Sequence, residues 1–166
     1  MLKLNIFTIP YGSKGFYCRP DTSLNKDSND YFCPDSITEL AAAVFIYARA
    51  AKAGKSVAAK FAPRYYNIVG KGVHFTAPQM ISNDSPETWW TAHSLDNSTF
   101  LVGEENNASE TDPTIIEKIN AAFETVSQHV SFRTGDYIAI EIGPSTIVAN
   151  GNSSYKIEDK EINIIW

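Results

Sequence analysis

Short segments with strand periodicity, separated by turn-forming residues, constrain the fold of this chain more than any other feature. From Leu2 to Ile9, leucine and isoleucine occupy every second position as far as Ile6, which is typical of a β-strand. The turn-rich loop PDTSLNKDSND separates two further short strands, predicted at Gly15 to Arg19 and Asp30 to Cys33. The pattern returns near the C-terminus, where we predict a strand from Tyr137 to Ile142 and a hairpin from Ser154 to Trp166 that turns near Glu158 to Lys160. We therefore expect strands to outnumber helices.

One helix is clearly indicated. Asp112 is a good capping residue, Pro113 suits the first helical position, and the apolar residues from Ile115 to Val126 follow helical spacing. We expect this helix to end near Gln128 or His129. The segment from Ser36 to Gly54 is ambiguous: its capping-box pattern and its alanines favour a helix, but alternate residues can also form one face of a strand.

Length, charge and cysteine content limit the possible functions. A chain of 166 residues fits one domain, because single cores usually hold about 100–200 residues. A formal net charge of −5 argues against general nucleic-acid binding, which needs a basic surface. The apolar runs are much shorter than a membrane span, and the first residues lack a secretory pattern, so we expect a soluble, cytoplasmic protein. We expect Cys18 and Cys33 to be buried, reduced thiols, because two cysteines do not make a disulfide framework.

The most distinctive run is FAPRYYNIVGKGVHFTAPQM, from Phe61 to Met80. It resembles the fumarylacetoacetate hydrolase family, whose members carry a pattern like FAxRYYxxIGxGxDFTARDLQ. Three further segments match family motifs in the same order: FYCRPDT from Phe16, WTAHSLDNSTFLVG from Trp90, and the stretch from Ile116 to Gly143.

The resemblance implies an α+β, mainly β fold, a mixed-β roll like the C-terminal domain of fumarylacetoacetate hydrolase. It also implies one such domain over residues 1–166, with the family's N-terminal lid and internal segments deleted. Within Ser36 to Gly54, it favours a strand over about residues 38–48.

The differences from the family cluster at functional positions. The family binds magnesium, manganese or calcium through carboxylates, two from an E-x-E motif and one from the aspartate before F-T-A. At the matching positions this chain has Ile37-Thr38-Glu39 and His74. The family's arginine, its next aspartate, its A-K-x-F-D lysine and its T-G-T-P loop are replaced by Pro78, Gln79, His93 and Glu141-Ile142-Gly143-Pro144. The N-Y-x-x-H stretch, which supplies a water-activating histidine in the family, is deleted.

These replacements predict a non-catalytic protein, because one glutamate cannot supply the several oxygen ligands of a magnesium site. We expect no catalytic residue and no cofactor. The family's cleft would correspond to Glu39, His74, Thr76, His93, Asp96, Gly143 and Pro144. One alternative is an enzyme whose remodelled site, made of Glu39, His74 and His93, binds a transition metal and acts on a small keto acid or diketone. Another is a module that binds a small carboxylate or a protein partner without turnover.

Two further expectations concern local chemistry and assembly. A nucleophilic triad of Ser94, His93 and Asp96 is not supported, because adjacent residues on an extended chain point to opposite faces. Family members are commonly homodimers. Loss of the lid would expose apolar surface at Trp89, Trp90 and Leu40 to Ile46, so we expect a symmetric homodimer.

Overall fold

The computed structural model describes residues 3–166, so Leu2, the predicted start of the first strand, lies outside the described residues. This part of the chain contains two α-helices, α1 (Pro86–His93) and α2 (Pro113–Ser127), and several short 3-10 helices. It also contains ten strands: β1 (Asn5–Ile9), β2 (Tyr17–Pro20), β3 (Asp30–Phe32), β4 (Leu40–Ala50), β5 (Tyr66–Thr76), β6 (Thr99–Asn107), β7 (Tyr137–Glu141), β8 (Thr146–Ala149), β9 (Ser153–Ile157) and β10 (Lys160–Ile165).

The strands form two mixed sheets. The larger sheet has the order β2-β1-β7-β4-β5-β6, and β8 pairs with the N-terminal end of β4. The smaller sheet has the order β3-β10-β9. The β1–β7 and β3–β10 pairs are parallel, whereas the other pairs are antiparallel. The expected α+β, mainly β class is confirmed.

The ambiguous segment is a strand, as the family resemblance favoured. β4 is central in the larger sheet, and its two edges are bonded to β5 on one side and to β7 and β8 on the other. Nine of its eleven residues are buried. The helix propensity of its alanines amounts to only a few tenths of a kcal/mol per residue. In the sheet, the backbone of β4 forms hydrogen bonds with strands on both sides, and the side chains of Phe45 and Tyr47 are buried.

Helix α2 lies where the sequence predicted it. A carboxylate oxygen of Asp112 accepts a hydrogen bond from the Thr114 amide at 2.8 Å, which caps the first turn. Ile119, Phe123 and Val126 are fully buried and pack, with Ile138 of β7 and other core residues, on one face of the larger sheet. The apolar stripe therefore decides which face of the helix meets the sheet.

Helix α1 corrects the expectation of extended chain around His93. Ser85 caps this helix by accepting a hydrogen bond from the Thr88 amide, and Pro86 occupies its first turn. His93 is its last residue, so the argument from alternating faces does not apply there. The Ser-Pro-Glu start was readable in the sequence as a helix N-terminus.

Gly70 and Gly72 allow β4 and β5 to approach closely. Gly70 is opposite Tyr47, and Gly72 is opposite Phe45. A Cβ at Gly70 would lie 2.4 Å from the Tyr47 hydroxyl oxygen, and one at Gly72 would lie 2.2 Å from Cζ of Phe45. The glycines therefore leave room for two aromatic rings that lean across the strand pair.

The predicted apolar dimer surface is not exposed as expected. Leu40 is fully buried and Ile46 is 3% exposed, because β4 lies inside the sheet. Trp90 is 46% exposed, although its indole nitrogen donates to the Cys18 carbonyl oxygen. The homodimer stays a prediction, without the β4 surface that motivated it. Within residues 3–166, no helix has the length and apolar character needed to cross a membrane.

We predict that Gly72→Ala lowers the free energy of unfolding by roughly 1–3 kcal/mol, because the new methyl group would overlap the Phe45 ring and the Phe100 carbonyl oxygen. Urea unfolding monitored by tryptophan fluorescence measures this change.

Gly151→Ala is the matched control, because within residues 3–166 no atom beyond its own chain neighbours lies within 4 Å of a Cβ built there. Its effect should stay within about 0.5 kcal/mol. Equal losses in the two variants would contradict the close-packing explanation.

Candidate functional site

A buried polar cluster lies where β2, β5, β7 and the end of α1 meet. β2 contributes Tyr17 and Arg19, β5 contributes His74, α1 ends with His93, and β7 ends with Glu141. Two members of the cluster, His74 and His93, belong to the predicted cleft. The other three, Tyr17, Arg19 and Glu141, do not.

Arg19 is completely buried and connects the parts of this cluster. Its guanidinium donates to Thr99 Oγ1 at 3.0 Å, to Ser98 Oγ at 2.9 Å and to Tyr17 Oη at 3.1 Å. It also donates to the carbonyl oxygen of His93. Among the described residues, no carboxylate lies within ion-pair distance of it. Arg19 therefore ties the end of α1 to β2 and β6 through hydrogen bonds to neutral acceptors, and Glu141 is near enough for the Arg19 charge to affect its pKa.

His74 is paired with Glu141 in the interior. Its Nε2 lies 3.3 Å from a carboxylate oxygen of Glu141, and the two side chains are only 1% and 8% exposed. The His74 ring also stacks on Phe45, with 5.3 Å between ring centroids. Its Nδ1 is buried and has no hydrogen-bond partner within residues 3–166. This arrangement favours the tautomer in which Nε2 carries the proton and donates it to Glu141.

Burial governs the protonation of this pair. It holds the pKa of His74 well below the ordinary value of 6.5, and the Arg19 charge and His93 push in the same direction. Burial also raises the pKa of Glu141, against the opposing influence of the Tyr11 amide, His93 and Arg19. Both shifts disfavour charged side chains inside the cluster, so His74 is neutral at physiological pH.

His93 is fixed by aromatic neighbours and by its own helix. Its Nδ1 lies 2.7 Å from the Trp89 carbonyl oxygen, and its ring stacks on the Trp89 ring at a centroid distance of 3.9 Å. Tyr17 packs edge-on against both rings. Burial lowers the pKa of His93, and Arg19 adds to this effect, whereas the hydrogen bond to Trp89 opposes it.

The other predicted cleft residues lie elsewhere or play structural roles. Glu39 is exposed, and its amide donates to the side-chain oxygen of Gln79 at 3.0 Å. Thr76 is buried at the end of β5, and Asp96 is exposed in the turn after α1. Gly143 and Pro144 lie in the loop between β7 and β8.

The replacement at Gln79 also has a structural explanation. Its side-chain oxygen accepts from both the amide and the hydroxyl of Thr38, and its side-chain nitrogen donates to the Ser36 carbonyl oxygen. Gln79 therefore holds the loop that leads into β4.

The donor set of this region does not fit the family's divalent cation. Hard cations need several converging oxygen ligands, whereas His74 and Glu141 bond to each other and Glu39 faces solvent. Over residues 3–166, no group of three or more His, Cys, Asp or Glu side chains is arranged to hold a metal ion. Glu39, His74 and His93 do not form such a group among the described residues, and the alternative site stays a prediction.

Sequence reasoning missed Tyr17, Arg19 and Glu141 as members of the cluster. Arg19 stands in FYCRPDT at the position of a family lysine, and Glu141 opens the segment that replaces T-G-T-P. These substitutions were visible, but the meeting of Glu141 with His74 depends on the alignment of β4, β5 and β7.

We predict that the stability difference between the wild type and His74→Gln shrinks as the pH falls below about 6.5. The unfolded chain then protonates His74, whereas the folded chain, in which the pKa is lowered, does not. The raised pKa of Glu141 has the opposite effect, favouring the folded state at lower pH, but it is common to both proteins. Urea unfolding between pH 7.5 and pH 5 measures the difference.

His129→Gln is the control for loss of an exposed histidine. The same decrease with acid in both variants would show that burial of His74 is not the cause.

Comparison with known proteins gives the fold a name. The sequence matches no family model and no curated protein. The structure is similar to a maleylpyruvate hydrolase from Sphingobium, with a TM-score of 0.73, 12% identity, and coverage of 99% of this chain and 73% of that one. It is similar to a fumarylpyruvate hydrolase from Pseudomonas aeruginosa solved with Mn²⁺ and pyruvate (TM-score 0.72, 12% identity, 97% and 89% coverage).

A third similar structure is described as a fumarylacetoacetate hydrolase family protein and comes from Yersinia pestis. Its TM-score is 0.69, with 13% identity and coverage of 98% of this chain and 91% of that one. Identities this low establish the fold alone. The chain has the fold of the fumarylacetoacetate hydrolase family.

Proposed function

We propose that this protein lacks the metal-dependent chemistry of the fumarylacetoacetate hydrolase family and functions without turnover. The observation that carries this proposal is the His74–Glu141 pair. By the sequence resemblance, His74 occupies the position of a metal-binding aspartate, and Glu141 occupies that of the first threonine of T-G-T-P. The side chains of His74 and Glu141 contact each other. His74 therefore does not supply the carboxylate that the family uses as a metal ligand, and its ring is packed in the interior instead.

The enclosure of the pair also argues against a remodelled enzyme. A general base must come within hydrogen-bond distance of the substrate proton that it removes. The side chains of His74 and Glu141 are 1% and 8% exposed. Arg19 already donates four hydrogen bonds to acceptors within the protein. A keto acid, a diketone or a small carboxylate would have to displace these contacts to bind here.

We predict no hydrolysis of acylpyruvates and no decarboxylation of oxaloacetate above background with Mg²⁺ or Mn²⁺. The physical reason is that residues 3–166 offer no group of three or more His, Cys, Asp or Glu side chains to hold the ion that polarises such substrates. Absorbance assays with micromolar protein and millimolar metal test this.

A fumarylpyruvate hydrolase such as the one from Pseudomonas aeruginosa serves as the positive control in these assays. Turnover by the present protein that disappears with a chelator would refute the proposed loss of activity.

We also predict that His74 and Glu141 are energetically coupled. His74→Asp should destabilise the fold by roughly 3 kcal/mol, because it places a second carboxylate beside a buried one. Adding Glu141→Thr should recover part of this loss, with a coupling free energy of about 1 kcal/mol or more in a double-mutant cycle. Urea unfolding of the four proteins at pH 7 gives this value.

The exposed pair Lys71–Glu158, 3.2 Å apart, is the matched control. The double-mutant cycle made with Lys71→Met and Glu158→Gln should give a coupling free energy of about 0.2–1 kcal/mol. If the effects of the substitutions at His74 and Glu141 on the free energy of unfolding were additive, the two residues would not be energetically coupled.

A further inference from the structure

A second cleft lies outside the buried cluster. It has a volume of about 710 Å³ and runs between the loop that joins β2 to β3 and the turn that follows α1. Pockets that hold small molecules usually have about 300–1,000 Å³. None of the five cluster residues lines this cleft.

The two walls of this cleft are held together by the side chain of Asn25. Its amide nitrogen donates to the Asp30 carbonyl oxygen at 3.1 Å and to the Asn97 carbonyl oxygen at 3.3 Å. Its carbonyl oxygen accepts from the Ser28 amide. Backbone bonds from Asn97 to Thr22 and from Asn25 to Thr99 join the same segments. The cleft is therefore preformed.

The charge of the cleft is strongly negative. Asp21, Asp27, Asp30 and Asp96 line it, and Lys26 is the one basic residue among its lining residues. Over residues 3–166, none of the four aspartates lies within ion-pair distance of a basic side chain. A concave surface lined by one sign of charge attracts ligands of the opposite sign.

The cleft also offers aromatic and apolar contacts. Phe32 lines it and is 70% exposed, and an exposed aromatic ring is a group that can attract a cation. Tyr31 lines it as well, and its buried hydroxyl has no hydrogen-bond partner in the described part of the chain. Leu24 and Leu95 supply aliphatic surface. This combination suits a ligand whose positive charges are separated by hydrocarbon.

We propose that this cleft binds a linear diamine or polyamine. The aspartates are dispersed along the walls and do not converge: no three acidic side chains among the described residues are arranged to hold one ion. Dispersed carboxylates match ammonium groups spaced by methylene units, whereas an inorganic divalent cation needs its ligands around one point. This inference is independent of the proposed loss of metal chemistry, since it concerns other residues.

Isothermal titration calorimetry with spermidine and putrescine, in buffer with physiological salt, tests the proposal. We expect binding with one site per chain. Asp27→Asn/Asp96→Asn should weaken it at least roughly tenfold, because both aspartates are exposed cleft carboxylates and neither pairs with a basic side chain of the described residues.

The matched control is Asp84→Asn/Glu117→Gln, which makes the same charge change at exposed positions outside the cleft. It should change the affinity by no more than about twofold. Equal weakening by both double variants, or no heat from either amine, would overturn the proposal. So would saturable binding of Ca²⁺ in the absence of amine binding.

Tyr31→Phe gives a second readout that does not depend on charge. Loss of an unpartnered hydroxyl should not lower the stability of the free protein. We expect spermidine affinity to fall several-fold while the unliganded unfolding curve is unchanged. Unaltered affinity in this variant would overturn the role of Tyr31 in the site.

Discussion

The close packing of β4 against β5 is the constraint on which the rest of the structure depends. Phe45 faces Gly72 on one neighbouring strand and Glu141 on the other, and Ala43 faces His74. Residues two apart on a strand share a face, so Phe45, His74 and Glu141 project on the same side of the sheet. A side chain at Gly72 would push the Phe45 ring away and disturb the whole arrangement. The glycines thus position the polar cluster without touching it.

The buried cluster limits charge inside the protein. Arg19 is a cation with neutral hydrogen-bond acceptors, and its presence beside two histidines makes further positive charge costly. Burying an ion has a large desolvation cost, which extensive hydrogen bonding only partly offsets. His74 therefore stays neutral, and the pKa of Glu141 rises because burial outweighs the attraction of Arg19. The cluster behaves as a polar part of the core that joins three strands to a helix end.

The fold thus separates two kinds of polar environment. One is the enclosed cluster, in which protein groups satisfy most of the available donors and acceptors. The other is the open cleft between the β2–β3 loop and the turn after α1, where four carboxylates have no basic partner among residues 3–166. Unpartnered charge at a concave surface is available to a ligand, whereas paired groups in the interior mainly stabilise the fold. We therefore expect recognition at the cleft and not at the cluster.

The sequence by itself determined several of the local elements. Alternating apolar residues located β7 and the C-terminal hairpin, and Asp112 and Pro113 located α2. The resemblance to the family predicted that Ile37 and His74 replace metal-binding carboxylates. Local rules failed at β4, because propensity is worth tenths of a kcal/mol and burial between two strands outweighs it. Only the tertiary structure brought Glu141, 67 residues away in the chain, to His74, and joined Asp96 to Asp27 in one cleft. Such meetings depend on strand register and on the space left by glycines, which are properties of the folded sheet and not of any local segment.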